Sequence, residues 1–167
     1  MPKIKINKNS GFTLIELLVV ISVIGFLASS SMVLLNSARI KARDANRKAS
    51  LRQVQKALDL YYDASSAYPS SAGAWRSACP SYGGKPLSGA DGYIPSLAPT
   101  YMSILPVDPL PCSRGDGYLY YSDGINYKLL SHVSPESYPS VGQPFYDPIR
   151  PTWAWMLCSG EPACSGW

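Results

Sequence analysis

Glu16 is a carboxylate near the start of a long apolar segment, and it needs a chemical explanation. The segment, Phe12 to Leu35, has 24 residues and would extend about 36 Å as a helix at ~1.5 Å per residue. That length is enough to cross the ~30 Å hydrocarbon core of a membrane. An ionised carboxylate is costly in such surroundings, so Glu16 needs a cation.

The nearest source of that cation is a new chain terminus. Cleavage after Gly11 would create an α-amino group on Phe12, four residues from Glu16 and on the same helical face. The amine could belong to the same chain or to a neighbouring one, in which case Glu16 would fix the register between two packed helices. An ordinary secretory signal is cut after its apolar core, whereas Gly11 precedes it. The alternative is an uncleaved signal anchor in which Gly11 only breaks the helix.

Four cysteines form the second chemical group: Cys79, Cys112, Cys158 and Cys164. They permit three pairings. The short, turn-rich loop "CSGEPAC" favours Cys158 with Cys164, which leaves Cys79 for Cys112. A metal site made of four thiolates is the competing interpretation, but the sequence has no CxxC pair. Disulfides fit an oxidising compartment outside the cytoplasmic membrane.

Other chemistry has little support. Asp108, Asp116 and Asp123 are weak candidates for a calcium site, but their spacing matches no defined calcium loop and aspartates are common in turns. His132 is the only histidine, and no motif around a serine or cysteine indicates a nucleophile. We therefore expect neither an enzyme nor a cofactor.

The elements that carry these residues follow from periodicity. Leu51, Val54, Leu58 and Tyr61 recur at intervals of three and four, which predicts that the membrane helix continues over residues 36–63 and packs on a sheet. We call residues 64–167 the head. "GYLYYSDGINYKLLSHV" predicts a β-hairpin that turns at Asp123-Gly124, and residues 153–157 predict another strand. The predicted fold class is α+β, a long helical spine on a small antiparallel sheet.

Charge divides unevenly along the chain. Residues 39–48 are basic, and Arg43 with Arg47, Lys48 with Arg52, and Arg52 with Lys56 are like-charge helical pairs. We expect these cations to face acids of neighbouring subunits, lipid phosphates or solvent. Asp44 lies four residues before Lys48, in the favourable order for a helical ion pair. After Ala64 there are five basic and seven acidic residues, which argues against a nucleic-acid partner.

The N-terminal residues resemble a known family. "GFTLIELLVVISVIGFLA", residues 11–28, resembles the class III signal of type IV pilins and of the pseudopilins of type II secretion systems. The resemblance implies that residues 1–11 are a leader peptide, removed between Gly11 and Phe12 by a prepilin peptidase that also methylates the new amine. It also implies that Glu16 pairs with the Phe12 amine of the preceding subunit. Acidic loop residues bind calcium in the major pseudopilin, which is the reason for considering the three aspartates.

The resemblance further implies a structural subunit of a type IV pilus-like filament. Such a subunit crosses the cytoplasmic membrane once with its N-terminus inside, although more Lys and Arg follow the apolar segment than precede it. An inner-membrane platform and an ATPase would then assemble it with other pilin subunits into an extracytoplasmic filament. The alternatives are a pseudopilin of a type II secretion system and a membrane-anchored extracytoplasmic binding module that never polymerises.

Overall fold

The computed structural model describes residues 11–167, apart from the side chains of residues 30, 31 and 33. The predicted leader therefore lies almost wholly outside the described residues. The chain divides into two units, with the boundary between Arg39 and Ile40. We describe each unit by itself.

One long helix, α1, dominates the described chain. It spans Leu14–Ser65, 52 residues, and ends two residues beyond the predicted Asp63. The serine hydroxyl of Ser65 donates to the Tyr61 carbonyl at 2.7 Å, and Ser66 has a φ of 56°, outside the helical region. These two features end the helix.

Residues 12–39, which include the first part of α1, have no buried side chain among those described. Every side chain described between those positions is exposed, including the large apolar ones. Among the described residues, α1 is the only helix long and apolar enough to cross a membrane. Exposed apolar surface of this extent marks a membrane or protein contact.

A three-stranded antiparallel sheet forms the centre of the second unit. Its strands are β1 (Gly117–Ser122), β2 (Tyr127–His132) and β3 (Ala154–Cys158), in the order β1-β2-β3. Two short 3₁₀ turns, Pro80–Tyr82 and Cys112–Arg114, lie in the long connection before β1, and a short helix, α2 (Ala163–Gly166), follows β3. The α+β class predicted from the sequence is confirmed.

The hairpin turn forms where the Asp-Gly pair predicted it. The Asp123 carboxylate accepts hydrogen bonds from the backbone N–H groups of Ile125 and Asn126, at 2.8 and 2.7 Å. Gly124 has a φ of 96°, a conformation that glycine adopts without steric cost. Asp123 therefore stabilises a turn.

The core lies between α1 and one face of the sheet. Leu51, Val54 and Leu58 of α1 belong to the same buried cluster as Tyr120 and Trp155 of the sheet. The periodicity of three and four residues thus identified the helix face that packs.

The opposite face of the sheet is also covered. All six residues of β2 are buried, and the side chains on the far side include Lys128 and His132. The Lys128 amine donates to Asp147 Oδ1 at 3.3 Å and to the Trp167 carbonyl at 2.8 Å. Burial lowers the pKa of Lys128, although Asp147 opposes that shift. Segments near the C-terminus therefore form a second layer.

Candidate assembly site

The start of α1 is closed by a reciprocal hydrogen-bond pair. The Glu16 carboxylate accepts from the Thr13 backbone N–H at 2.8 Å and from the Thr13 hydroxyl at 2.7 Å. The Glu16 backbone N–H in turn donates to Thr13 Oγ1 at 3.3 Å. This is a capping box, which satisfies backbone donors at a helix N-terminus. The sequence interpretation of Glu16 missed this role, although Thr followed three residues later by Glu is its usual signature.

The capping box engages only one carboxylate oxygen. Both contacts from Thr13 reach Oε2, and no bond joins Oε1 to any residue in the described part of the chain. Phe12, Ile15, Glu16, Val19 and Val20 together line one exposed groove at the start of the helix. A carboxylate in an apolar groove with a spare oxygen can accept a charged hydrogen bond from another molecule.

Gly11 lies outside the helix and is exposed. A Cβ atom added at Gly11 would meet no atom within 4 Å. Within the described residues, packing therefore gives no reason for a glycine here. A requirement for glycine would come from recognition by another protein.

A buried ion cluster joins α1 to the head within the second unit. Arg47 is fully buried and donates to Asp108 through two nitrogens, Nε at 2.8 Å and Nη2 at 3.1 Å. Its third nitrogen donates to Asp44 Oδ1 at 2.7 Å. Burial alone would lower the pKa of Arg47, but the hydrogen bonds that Arg47 donates to Asp108 and Asp44 outweigh burial and raise that pKa.

The next residues of the cluster come from the segment after β2. Arg43 Nη2 donates to Glu136 Oε2 at 2.6 Å, and a second bond joins Arg43 Nε to Oε1 of the same carboxylate. These bonds hold the pKa of Glu136 below its usual value. Ser137 Oγ donates to Asp44 Oδ2 at 2.7 Å.

Two predictions about this region are therefore wrong. The helical ion pair of Asp44 with Lys48 does not form, because Asp44 turns inward to Arg47 and to the backbone N–H of Glu136. Arg43 and Arg47 do not need external partners, because the chain's own acids neutralise them. Those acids lie far along the chain, beyond the reach of local spacing rules.

Two disulfides close loops of the head. Cys79 is bonded to Cys112, 33 residues away, and Cys158 is bonded to Cys164, 6 residues away. These are the pairs that the short loop favoured, and no free cysteine remains. The first bridge fixes the long connection before β1.

The three aspartates considered for calcium lie in different local settings. Asp108 binds Arg47, Asp123 holds the hairpin turn, and Asp116 Oδ2 lies 2.8 Å from His132 Nδ1. Among residues 11–167, no group of three or more His, Cys, Asp or Glu side chains is arranged to hold a metal ion. Burial lowers the pKa of His132, against the opposing effect of Asp116. The His132 ring packs edge-on against Trp153.

Comparison with known proteins places this arrangement in a family. Residues 6–32 match the family described as the prokaryotic N-terminal methylation motif. Over 121 residues the chain is 31% identical to the type II secretion system core protein G of Pseudomonas aeruginosa, covering 71% of this chain and 77% of that protein. The chain belongs to the pilin and pseudopilin family. No solved structure gives a significant match to this pilin-family chain.

The family explains the two units of this pilin-family chain. Its members are structural subunits, and the apolar first part of α1 is consistent with membrane anchoring before assembly. The residues of the second unit that sequence reasoning missed are Arg47 of α1 and its acidic partners. The only local signal was Asp44, three residues before Arg47.

Proposed function

We propose that this chain is a structural subunit of a type IV pilus-like filament. A prepilin peptidase cuts it after Gly11 and methylates the new Phe12 amine. The chain then leaves the cytoplasmic membrane, where its N-terminus faces the cytoplasm. An assembly platform and its ATPase add the chain to a homopolymer through residues 12–35.

The observation that carries this proposal is the exposed apolar groove at the start of α1. Glu16 lies in that groove with one oxygen bound to Thr13 and the other without a bond to any described residue. An incoming amine from the neighbouring subunit would supply the missing charge. Because only one axial offset between two helices satisfies both groups, Glu16 would set the register of the filament.

The structure suggests a sharper test than removal of the carboxylate alone. Glu16→Gln keeps an oxygen that can accept from Thr13 but loses the charge, whereas Glu16→Ala loses both. Ser22→Ala is a matched control, because Ser22 is an exposed polar residue of the same segment that only donates to its own helix, at Leu18 O. Intact-protein mass and filament yield would be measured for each variant in the native host.

We expect every variant to be cut, giving a mature chain that begins at methylated Phe12. Filaments should be lost in Glu16→Ala and in Glu16→Gln, and they should persist in Ser22→Ala. Normal filaments in Glu16→Gln would reduce Glu16 to a helix cap. An uncut chain that begins at Met1 and is unaffected by either change would leave the membrane-anchored binding module as the better function.

A pseudopilus of a type II secretion system is the second candidate, and one observation favours it. A relative that aligns with 71% of this chain is named as core protein G of such a system. Expression of this chain in a strain that lacks its own core protein G separates the two. Restored secretion supports the pseudopilus, whereas surface filaments without secretion support the pilus.

A further inference from the structure

A cleft of about 440 Å³ lies in the second unit, between α1 and the segment after β2. Lys48 and Arg52 line it from α1, and Tyr138, Gln143 and Phe145 line it from the facing segment. Trp155 of β3 also contributes to the lining. The cleft shares no lining residue with the groove at Glu16.

Both cations of the cleft rest on aromatic rings. Lys48 Nζ lies 4.7 Å from the centre of the Trp155 ring, and Arg52 Cζ lies 5.4 Å from the centre of the Phe145 ring. The two rings are buried, at 0% and 6% exposure. A cation over a buried ring is held in position while its outer side stays open to a ligand.

These cations have no acidic partner within residues 11–167. Neither forms an ion pair there, in contrast to Arg43 and Arg47, which lie five residues before Lys48 and Arg52 respectively. Lys48 and Arg52 are four residues apart on the helix, so their like charges repel. None of the described residues that line the cleft is acidic. The site therefore concentrates positive charge without compensation.

The neutral polar groups also favour an acceptor as the ligand. Gln143 Oε1 accepts from the Ser140 backbone N–H at 3.0 Å, which leaves the side-chain N–H groups of Gln143 as donors. The Tyr138 hydroxyl donates its proton to the Pro135 carbonyl at 2.9 Å. A ligand with several oxygens and a negative charge matches two cations and an amide donor.

We propose that this cleft binds an oxyanion, a phosphate or carboxylate group, with Lys48 and Arg52 as its charged ligands. The aromatic rings keep the two cations in place, and Gln143 adds a neutral donor. The group could be free in solution or could be a carboxylate of a second copy of this chain. The chemistry is the same in both cases.

The test uses the full chain in neutral detergent micelles, titrated with inorganic phosphate and separately with acetate. Binding is followed by tryptophan fluorescence and by calorimetry. Lys48→Gln with Arg52→Gln removes both ligands. Lys41→Gln with Lys56→Gln is the matched control, because it removes the same charge from exposed positions of the same helix outside the cleft.

We expect saturable binding that weakens by at least about tenfold in the first double variant and by less than about twofold in the control. Equal weakening in both would indicate general attraction to a basic helix and would overturn the proposal. Absence of saturable binding to the wild type would also overturn it. Repeating the titration on assembled filaments identifies the source, since a cleft filled by a neighbour's carboxylate no longer responds to phosphate.

Discussion

Replacement of Arg47 by methionine tests whether the buried ion cluster holds the head on α1. The change keeps most of the side-chain volume and removes the charge, so two carboxylates lose their cation. Those carboxylates are nearly inaccessible, at 7% exposure for Asp44 and 2% for Asp108. Breaking a buried pair on one side costs about 3–5 kcal/mol, because the remaining charge stays desolvated.

A loss of that size is a large share of the stability of an ordinary domain, which is about 5–15 kcal/mol. It should lower the melting temperature by on the order of 10–20 °C. Urea unfolding of the full chain in micelles, followed by near-ultraviolet circular dichroism, measures the free energy directly. Urea is preferable to guanidinium because it adds no ions that would screen the pairs.

Two further variants decide whether charge is the cause. Arg43→Met removes a more exposed cation, with 28% of its side chain accessible, and should destabilise the head less. Adding Asp44→Asn and Asp108→Asn to Arg47→Met should recover part of the loss. The amides keep the acceptors that Ser137 and the Leu110 backbone use, at 2.7 and 2.8 Å, without the buried charge. A loss below about 1 kcal/mol for Arg47→Met, or no recovery with the amides, would refute the reasoning.

Other features of the head give further predictions. His132 has a pKa below its unfolded value of about 6.5, so the unfolded chain binds more protons and stability is lost as pH falls below about 6.5. His132→Gln should therefore flatten the fall in melting temperature between about pH 7 and pH 5, and an unchanged profile would exclude His132 as its source. Replacing both cysteines of the Cys79–Cys112 bridge by serine should lower the free energy of unfolding by about 4 kcal/mol. The same change at the Cys158–Cys164 bridge should lower it by about 2 kcal/mol, because the first bridge closes a loop of 33 residues and the second a loop of 6. Urea titrations would check this order, and a larger loss for the shorter loop would contradict it.

The parts of the fold that the sequence predicted are those with local causes. The α1 periodicity arises within the helix, and the Asp123-Gly124 turn is stabilised by hydrogen bonds within four residues. The Glu16 motif is also contiguous. In each case the residues that determine the structure are neighbours in the chain, so their spacing alone carries the information.

The ion cluster could not be predicted in that way. Arg47 meets Asp108 across 61 residues and Glu136 across 89. The helical spacing rule for opposite charges favoured an ion pair of Asp44 with Lys48, but packing against the head prevents that pair. Asp44 instead accepts from Arg47, and tertiary burial outweighs a surface pair of roughly 0.3–0.5 kcal/mol.

The position of the segment after β2 could not be predicted from the sequence either, for a different reason. It has little periodicity, and positive φ angles occur at Val133 and Phe145. Its position is set by distant contacts, including the Trp155 indole N–H that donates to the Ser137 carbonyl at 2.8 Å. Such a segment has no pattern of its own for a sequence argument to use.

Four cations in the basic part of α1 form two pairs with different roles. Arg43 and Arg47 are one turn apart, and Lys48 and Arg52 repeat that spacing five residues later, after a net rotation of about 140° around α1. The first pair points to the acids of the head, which neutralise it through ion pairs. The second pair points into a cleft whose described lining contains no acid. Composition alone does not distinguish these four cations. Their angular positions around the helix do, because one pair faces the acids that neutralise it and the other pair remains available to a ligand.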